Sequence, residues 1–252
     1  DFRDQFWPIM PNIKYAIGSA ASRLMHAALR NRWLPLVREV PRGLSVWYDV
    51  QRLAGQRDVG VIFDVGANIG QTAYQLVRYF PKSEIHCFEP VRKTFGELQD
   101  RYGSAVICHR LAFGSERSDL EISTFSDSEL NSFSEVRGDA VPLGKELVQV
   151  DTIDRFCSES SIDVIDILKM DVQGWEKSVL MGSSKLLQAR SVRFVLAEVG
   201  FRNRDKDMQN FGALNHFLDD CGFEFCGFYD NFRWGPEKGY VGFANALYHL
   251  PE

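Results

Sequence analysis

The sequence predicts an α/β protein: a doubly wound, mostly parallel sheet with an antiparallel C-terminal strand, preceded by an N-terminal helical extension. Three observations support that fold class. From Val59 onward, short apolar runs alternate with stretches of helical periodicity, the pattern of parallel strands joined by crossover helices. The first run leads into a glycine-containing turn, Asp64-Val65-Gly66-Ala67-Asn68-Ile69-Gly70, at the strand end where such sheets bind ligands. The last two runs are separated by Gly, Pro and Asn with no helical pattern, so they can pair as a hairpin.

Val61-Ile62-Phe63 reads as the first strand, followed by a helix near Gln71–Phe80 that Pro81 terminates. Glu84–Phe88 is the second strand, Arg92–Arg101 the next helix and Ala105–Cys108 the third strand. Asp119–Thr124 and Leu147–Val150 alternate weakly, as extra strands or an insertion would. Ile165–Met170 and Val192–Val199 are the fourth and fifth strands. A helix near Gln209–Asp220 leads to Phe223–Phe228, and Phe243–Leu250 closes the sheet. Two regions follow: residues 1–58 as the extension and 59–252 as the ligand-binding domain.

The extension differs in charge. Its first sixty residues hold nine Lys and Arg against five acids, although the whole chain carries −5. Ile13, Ile17, Ala20, Leu24 and Ala28 recur at helical spacing among Lys14, Arg23, Arg30 and Arg32, with Asn12 as a plausible cap. Such a helix suits packing on the core, a homodimer contact or peripheral attachment to an anionic membrane surface. Pro35 and Pro41 separate it from the rest.

Of the 252 residues, 45% are hydrophobic and 25% charged, which excludes collagen-like, disordered and coiled-coil classes. No stretch approaches 18 uncharged apolar residues, so no membrane-spanning helix is expected. The acidic balance argues against a nucleic-acid partner. Cys87, Cys108, Cys157, Cys221 and Cys226 are odd in number and lack a Cys-x-x-Cys pair. They read as free thiols, and the expected location is cytoplasmic or membrane-peripheral. The chain opens at Asp1 rather than Met, which leaves a longer native N-terminus open.

The glycine turn indicates its ligand. A dinucleotide fold wants Gly-x-Gly-x-x-Gly, whereas this chain offers Gly66 and Gly70 with Asp64 before them. A carboxylate there opposes a pyrophosphate and suits the sulfonium and amino groups of S-adenosylmethionine. Asn68 lies in the same turn. Glu89, in Phe88-Glu89-Pro90, can accept from two ribose hydroxyls. His109 ends the third strand, where it can touch adenine, act as a base or be purely structural.

With Val150-Asp151-Thr152-Ile153-Asp154, Leu168-Lys169-Met170-Asp171-Val172-Gln173-Gly174-Trp175-Glu176, Val179-Leu180 and Gly182, these motifs carry a resemblance. From about Val61 to Leu250 the chain resembles the FkbM-type family of class I, S-adenosylmethionine-dependent methyltransferases. That resemblance implies a Rossmann-like methyltransferase fold and O-methylation of a sugar, glycan or secondary metabolite. Trp175 stands where the family usually has a small residue, and it narrows the expected pocket. The extension takes no function from the resemblance.

Methyl transfer needs an acceptor oxygen aligned with the methyl carbon and a group that holds the departing proton. Asp171 is the first candidate, with Lys169 two residues earlier on the same strand face as its expected ion-pair partner. Asp171 also borders the cofactor site. Glu198 is the second acid. Asp171 and Glu198 could share a divalent metal, although none is predicted. Glu176 is expected to fix its loop, Asn131-Ser132 to line the mouth, and Phe228, Tyr229, Phe232, Trp234 and Tyr240 to offer rings for a sugar or for the core. Two rivals remain: a non-catalytic methyltransferase-like subunit, and an NAD-linked oxidoreductase, which the missing glycine and the lack of a Tyr-x-x-x-Lys pair disfavour.

Overall fold

The computed structural model describes residues 40–133, 141–202 and 208–251. The chain divides into two compact units, Asp1–Ser45 and Val46–Glu252. In the first unit the described residues form a turn, with the Leu44 amide donating to the Pro41 carbonyl. The basic helix expected near residues 12–32 lies outside the described residues.

The second unit begins at α1 (Val46–Ala54), earlier than the expected boundary at residue 58. The physical reason is packing. Val46, Trp47 and Val50 are buried; Trp47 Nε1 donates to Gln75 Oε1 at 2.8 Å, and Tyr229 Oη donates to Asp49 Oδ2 at 2.8 Å. This helix therefore belongs to the sheet domain by its contacts.

The main sheet comprises β1 (Val61–Val65), β2 (Glu84–Phe88), β3 (Ile107–His109), β7 (Ile165–Met170), β8 (Val192–Gly200), β9 (Glu224–Trp234) and β10 (Tyr240–His249). Their order is β3-β2-β1-β7-β8-β10-β9. The first five strands pair in parallel; β10 runs antiparallel to both β8 and β9. This is the class I, Rossmann-like arrangement. β9 and β10 do form the expected hairpin. The weakly alternating segments build a second, three-stranded sheet of β4 (Ala112–Phe113), β6 (Gly144–Asp151) and β5 (Ser118–Thr124).

Strand alternation sorts the core into two faces. Phe63, Phe88, Leu168, Val195 and Tyr248 share one face with residues of α4 (Ile153–Ser160), α5 (Glu176–Met181), α6 (Ser184–Gln188) and α7 (Phe211–Asp220). Ile62, Ile85, Ile167, Phe194 and Leu247 share the other with α1, α2 (Gln71–Tyr79) and α3 (Arg92–Tyr102). The helix stripes are short: Ala73, Leu76 and Tyr79 on α2, Thr94 and Leu98 on α3. Side-chain caps fix two starts, Thr152 Oγ1 accepting from the Arg155 amide and Asn210 Oδ1 from the Ala213 amide.

β7 is buried along its whole length yet carries Asp166 and Lys169. At the amino end, Asp166 pairs with Arg193 and accepts from the Gly60 and Val61 amides. At the carboxyl end, Lys169 faces Asp64. Buried charges persist only when paired, and both are. The carboxyl-end pair is where the functional site begins.

Candidate active site

A cavity of about 390 Å³ opens at the carboxyl ends of β1, β2, β7 and β8. That size falls within the range of small-molecule sites. Gly66, Asn68, Glu89, Lys169, Asp171 and Glu198 all lie in its wall. Asp64, Gly70 and His109 do not, and each has a physical reason to be elsewhere.

The turn after β1 is fixed by close approach. The Gly66 and Ala67 amides both donate to the Phe88 carbonyl at 3.0 Å, and the Asp171 amide donates to the Val65 carbonyl at 3.0 Å. Gly66 has φ +76°, and a Cβ there would lie 2.0 Å from the Asp171 carbonyl oxygen. Only glycine fits. Gly70, at φ +94°, meets a different neighbour: a Cβ would strike the Tyr102 ring at 2.4 Å. Glycine at this position lets the turn pack on α3.

Asn68 adopts φ +48°, tolerated by a short amide side chain. Its amide donates to Glu89 Oε2 at 3.1 Å, and its Oδ1 accepts from Ser128 Oγ at 2.9 Å. Glu89 Oε1 accepts from the Val91 amide at 3.0 Å. Burial pushes the Glu89 carboxyl up to about 7, against the pull of those two amides. The group sits near its titration point at neutral pH, with its carboxylate in the cavity wall.

Alternation along the strands carries Asp64, Lys169 and Glu198 onto the face of Ile62, Ile167 and Leu196. Asp64 and Lys169 are register partners on β1 and β7. Lys169 Nζ lies 2.8 Å from Asp64 Oδ1 and 3.8 Å from Asp171 Oδ2. The expected Lys169–Asp171 pair is thus secondary to a Lys169–Asp64 pair. Asp64 is fully buried, and its carboxylate answers the Lys169 ammonium. Burial opposes a charge on Lys169, yet Asp64, Asp171 and Glu198 together hold its pKa above the ordinary value. Lys169 is therefore the ammonium at the centre of an acidic floor.

Asp171 and Glu198 are joined by Gln173, a residue with no charge of its own to mark it in the sequence. Gln173 Nε2 donates to Asp171 Oδ1 at 3.0 Å and to Glu198 Oε2 at 3.3 Å. Gln173 holds φ +57° and Gly174 φ +91°, two left-handed residues in succession. Glu176 secures this turn as expected: Oε1 accepts from the Val172 amide at 3.1 Å and the Gly174 amide at 3.4 Å. Burial raises the Glu176 carboxyl to about 7. Among the described residues, no three acidic, imidazole or thiol groups converge as a metal site requires.

His109 turns away from the cavity. Its ring stacks on Phe88 at 4.7 Å, and Nε2 meets His86 Nδ1 at 3.0 Å. Burial, reinforced by His86, lowers its pKa to about 4, so it stays neutral within an aromatic cluster. These contacts fit the structural reading of this histidine.

Asn131 and Ser132 line the mouth, as expected. Ser128 and Glu129 add a bridge over it, with Gln71 Nε2 donating to Glu129 Oε1 at 3.1 Å. Trp175 enters the wall and packs on Phe133 at 5.0 Å, narrowing that side. Met208 and Phe243 complete the wall from the far end of the sheet. No periodicity marked Ser128 or Met208. Gln173 was visible inside a recognised motif, but its neighbours in space were not.

Residues 64–225 match the methyltransferase FkbM domain model. Over 182 residues the chain is 29% identical to the 2-O-methyltransferase NoeI of Sinorhizobium fredii, covering 64% of this chain and 72% of that protein. It is 28% identical over 169 residues to the hexuronic acid methyltransferase AglP of Haloferax volcanii, covering 62% and 66%. Among solved structures, a precorrin-6y C5,15-methyltransferase from Geobacter metallireducens superposes with a TM-score of 0.43 at 11% identity, over 81% of this chain and 85% of that one. With the family model spanning well over half of its length, the chain belongs to the FkbM methyltransferase domain family.

Proposed function

We propose that this protein is an O-methyltransferase that moves the methyl group of S-adenosylmethionine to a hydroxyl of a sugar or glycan. The observation that carries this reading is the cavity's polarity. Glu89, Asp171 and Glu198 line it above a buried Asp64, with Lys169 between them. An acidic floor suits a cationic sulfonium and ammonium and opposes a pyrophosphate, which also disfavours hydride transfer with NAD.

The residues present fit the cofactor. Glu89, anchored by two backbone amides, keeps acceptor capacity for the ribose hydroxyls. Gly66 leaves the β1 turn without a side chain at the cavity floor. S-adenosylmethionine, when bound, supplies an electrophilic methyl carbon. Asp171, fixed by Gln173 and Lys169, is placed to orient the acceptor hydroxyl and take its proton as the oxygen attacks. Glu198 shares the Gln173 clamp and is the second acid beside the acceptor. Trp175 and Phe133 limit the acceptor's breadth.

The relatives, a 2-O-methyltransferase and a hexuronic acid methyltransferase, support oxygen as the accepting atom and a sugar as its carrier. No described helix is long and apolar enough to cross a membrane. An odd cysteine count without a Cys-x-x-Cys pair accords with a cytoplasmic site of action. The basic N-terminal stretch fits acceptor docking, homodimer contact or peripheral membrane contact as part of the same proposal. Calorimetry with S-adenosylmethionine and with NAD, followed by radiolabelled methyl transfer to a panel of sugars, tests the reading. Binding of NAD in preference to S-adenosylmethionine, or cofactor binding with no labelled sugar, overturns it.

A further inference from the structure

Phe243 belongs to two assemblies at once. It lines the cavity, and its ring lies 4.7 Å from that of Phe232 on β9, nearly parallel at 9°. Further along the hairpin, Trp234 and Tyr240 pack at 5.4 Å, and the Arg202 guanidinium sits 4.3 Å over the Trp234 ring. Phe232, Trp234 and Tyr240 are 50%, 36% and 57% exposed. Four aromatic rings thus run from the cavity wall to the hairpin turn.

Glycines make room for this stripe. A Cβ on Gly242 would lie 3.0 Å from the Phe232 ring and 3.3 Å from Trp234; one on Gly235 would lie 2.5 Å from Tyr240. The rings rest against bare backbone. Exposed aromatics of this extent on an edge hairpin are an aggregation liability, and their presence calls for an occupant.

We propose that this stripe is a glycan subsite continuous with the methyl-transfer cavity, so that the acceptor is a sugar chain and not a single sugar. The inference rests on the methyl-transfer reading and adds the size of the substrate. The Trp234–Tyr240 and Phe232–Phe243 pairs lie two residue steps apart on β9, roughly 7 Å, with a bulge at Gly242 on β10, which is room for more than one pyranose ring outside the cavity. A pyranose offers a C–H face to an aromatic ring and a hydroxyl rim to donors. The Arg202 guanidinium covers one face of Trp234, while Glu237 and Lys238 stand exposed at the turn as polar partners for that rim. Continuity through Phe243 favours a chain whose end enters the cavity over a separate partner.

The test uses the full chain loaded with S-adenosylhomocysteine on an array running from single sugars through hexasaccharides. The expected result is binding of an oligosaccharide at least about tenfold tighter than of its terminal sugar alone. Trp234→Ala and Tyr240→Ala should each weaken that binding by about tenfold, with affinity for S-adenosylmethionine unchanged. Gly242→Val, which removes no ring but displaces two, should weaken it similarly. Tyr240→Ser, at the most exposed ring, serves should Trp234→Ala lose its fold by circular dichroism. Silence across the array, equal binding of single sugars, or binding undiminished in the variants overturns the subsite. So does a dimer in sedimentation, or attachment to phosphatidylglycerol vesicles, that Trp234→Ala abolishes. Those results leave the methyl-transfer reading standing as long as S-adenosylmethionine binds; failure of the unaltered protein to bind it overturns that reading instead.

Discussion

Lys169 is bonded to Asp64, its register partner on β1, more closely than to Asp171, two residues along its own strand: 2.8 Å against 3.8 Å. Because Asp64 answers the buried ammonium, Asp171 is left at the cavity wall with a third of its side chain exposed. The division separates a carboxylate committed to the buried ammonium from one that faces the cavity.

Stability should follow that division. Asp64→Asn leaves a fully buried ammonium with its nearest counter-charge removed, and breaking such a pair costs about 3–5 kcal/mol. Asp171→Asn removes a weaker and more exposed partner and should cost about 1 kcal/mol or less. Urea unfolding of the two variants compares them directly. Equal losses would contradict the assignment of Asp64 as the principal partner.

Glu89 should make cofactor binding pH-dependent. Its carboxyl titrates at about 7 in the free protein because it is buried, and ribose hydroxyls are best accepted by the ionised form. Affinity for S-adenosylmethionine should therefore rise as pH increases through 7 and level off above it, changing by up to about tenfold per unit below. Glu89→Gln should flatten the profile and lower affinity at pH 8 by about tenfold or more. Titration calorimetry from pH 6 to 8.5 checks both outcomes. A sloped profile in the variant would assign the titration to another group.

Glu176 should weaken the fold at alkaline pH. Its folded-state pKa lies above the unfolded value, so the protonated form is favoured by folding. Its contribution is fully present below about 4.5 and is lost as pH rises through about 7, a difference on the order of 3 kcal/mol. Glu176→Gln keeps an acceptor for the Val172 and Gly174 amides and removes the ionisation. It should match the wild type within about 1 kcal/mol at pH 5 and be the more stable protein at pH 8.5. Glu176→Ala loses the acceptor and should be the less stable at both. Thermal midpoints at the two pH values decide between these outcomes.

Much of this was legible in the sequence because it depends on local signals. Strand alternation, the turn at Gly66 and the acid ending β2 are encoded within a few residues of one another. What escaped depends on register. Placing Asp64 opposite Lys169 requires the pairing of β1 with β7, more than a hundred residues apart. The space beside Gly70 is filled by Tyr102 of α3, a neighbour that the spacing of the turn does not announce. His109 ends β3 as its position in the sequence indicates, but its ring is engaged by His86 and Phe88. The attachment of α1 to the sheet depends on contacts with residues as distant as Tyr229, which no local signal near residue 58 reveals.

The decisive variant for the chemistry is Asp171→Asn. It keeps the side chain's shape and its place beside Gln173, while the amide can neither take a proton nor hold one for transfer. Lys169 retains Asp64 at 2.8 Å, so the fold should survive, and Glu89 is untouched, so cofactor affinity should stay within a few-fold. Single-turnover methyl transfer should fall by about 10²–10⁴-fold, the range for a positioned acid–base group. Glu198 offers a nearby alternative, joined to Asp171 through the same Gln173 amide. If Glu198 holds the proton instead, Glu198→Gln will show the larger loss and Asp171→Asn a modest one. Comparing the two variants under saturating cofactor and acceptor separates the roles, and a fully active Asp171→Asn enzyme would remove Asp171 from the chemical step.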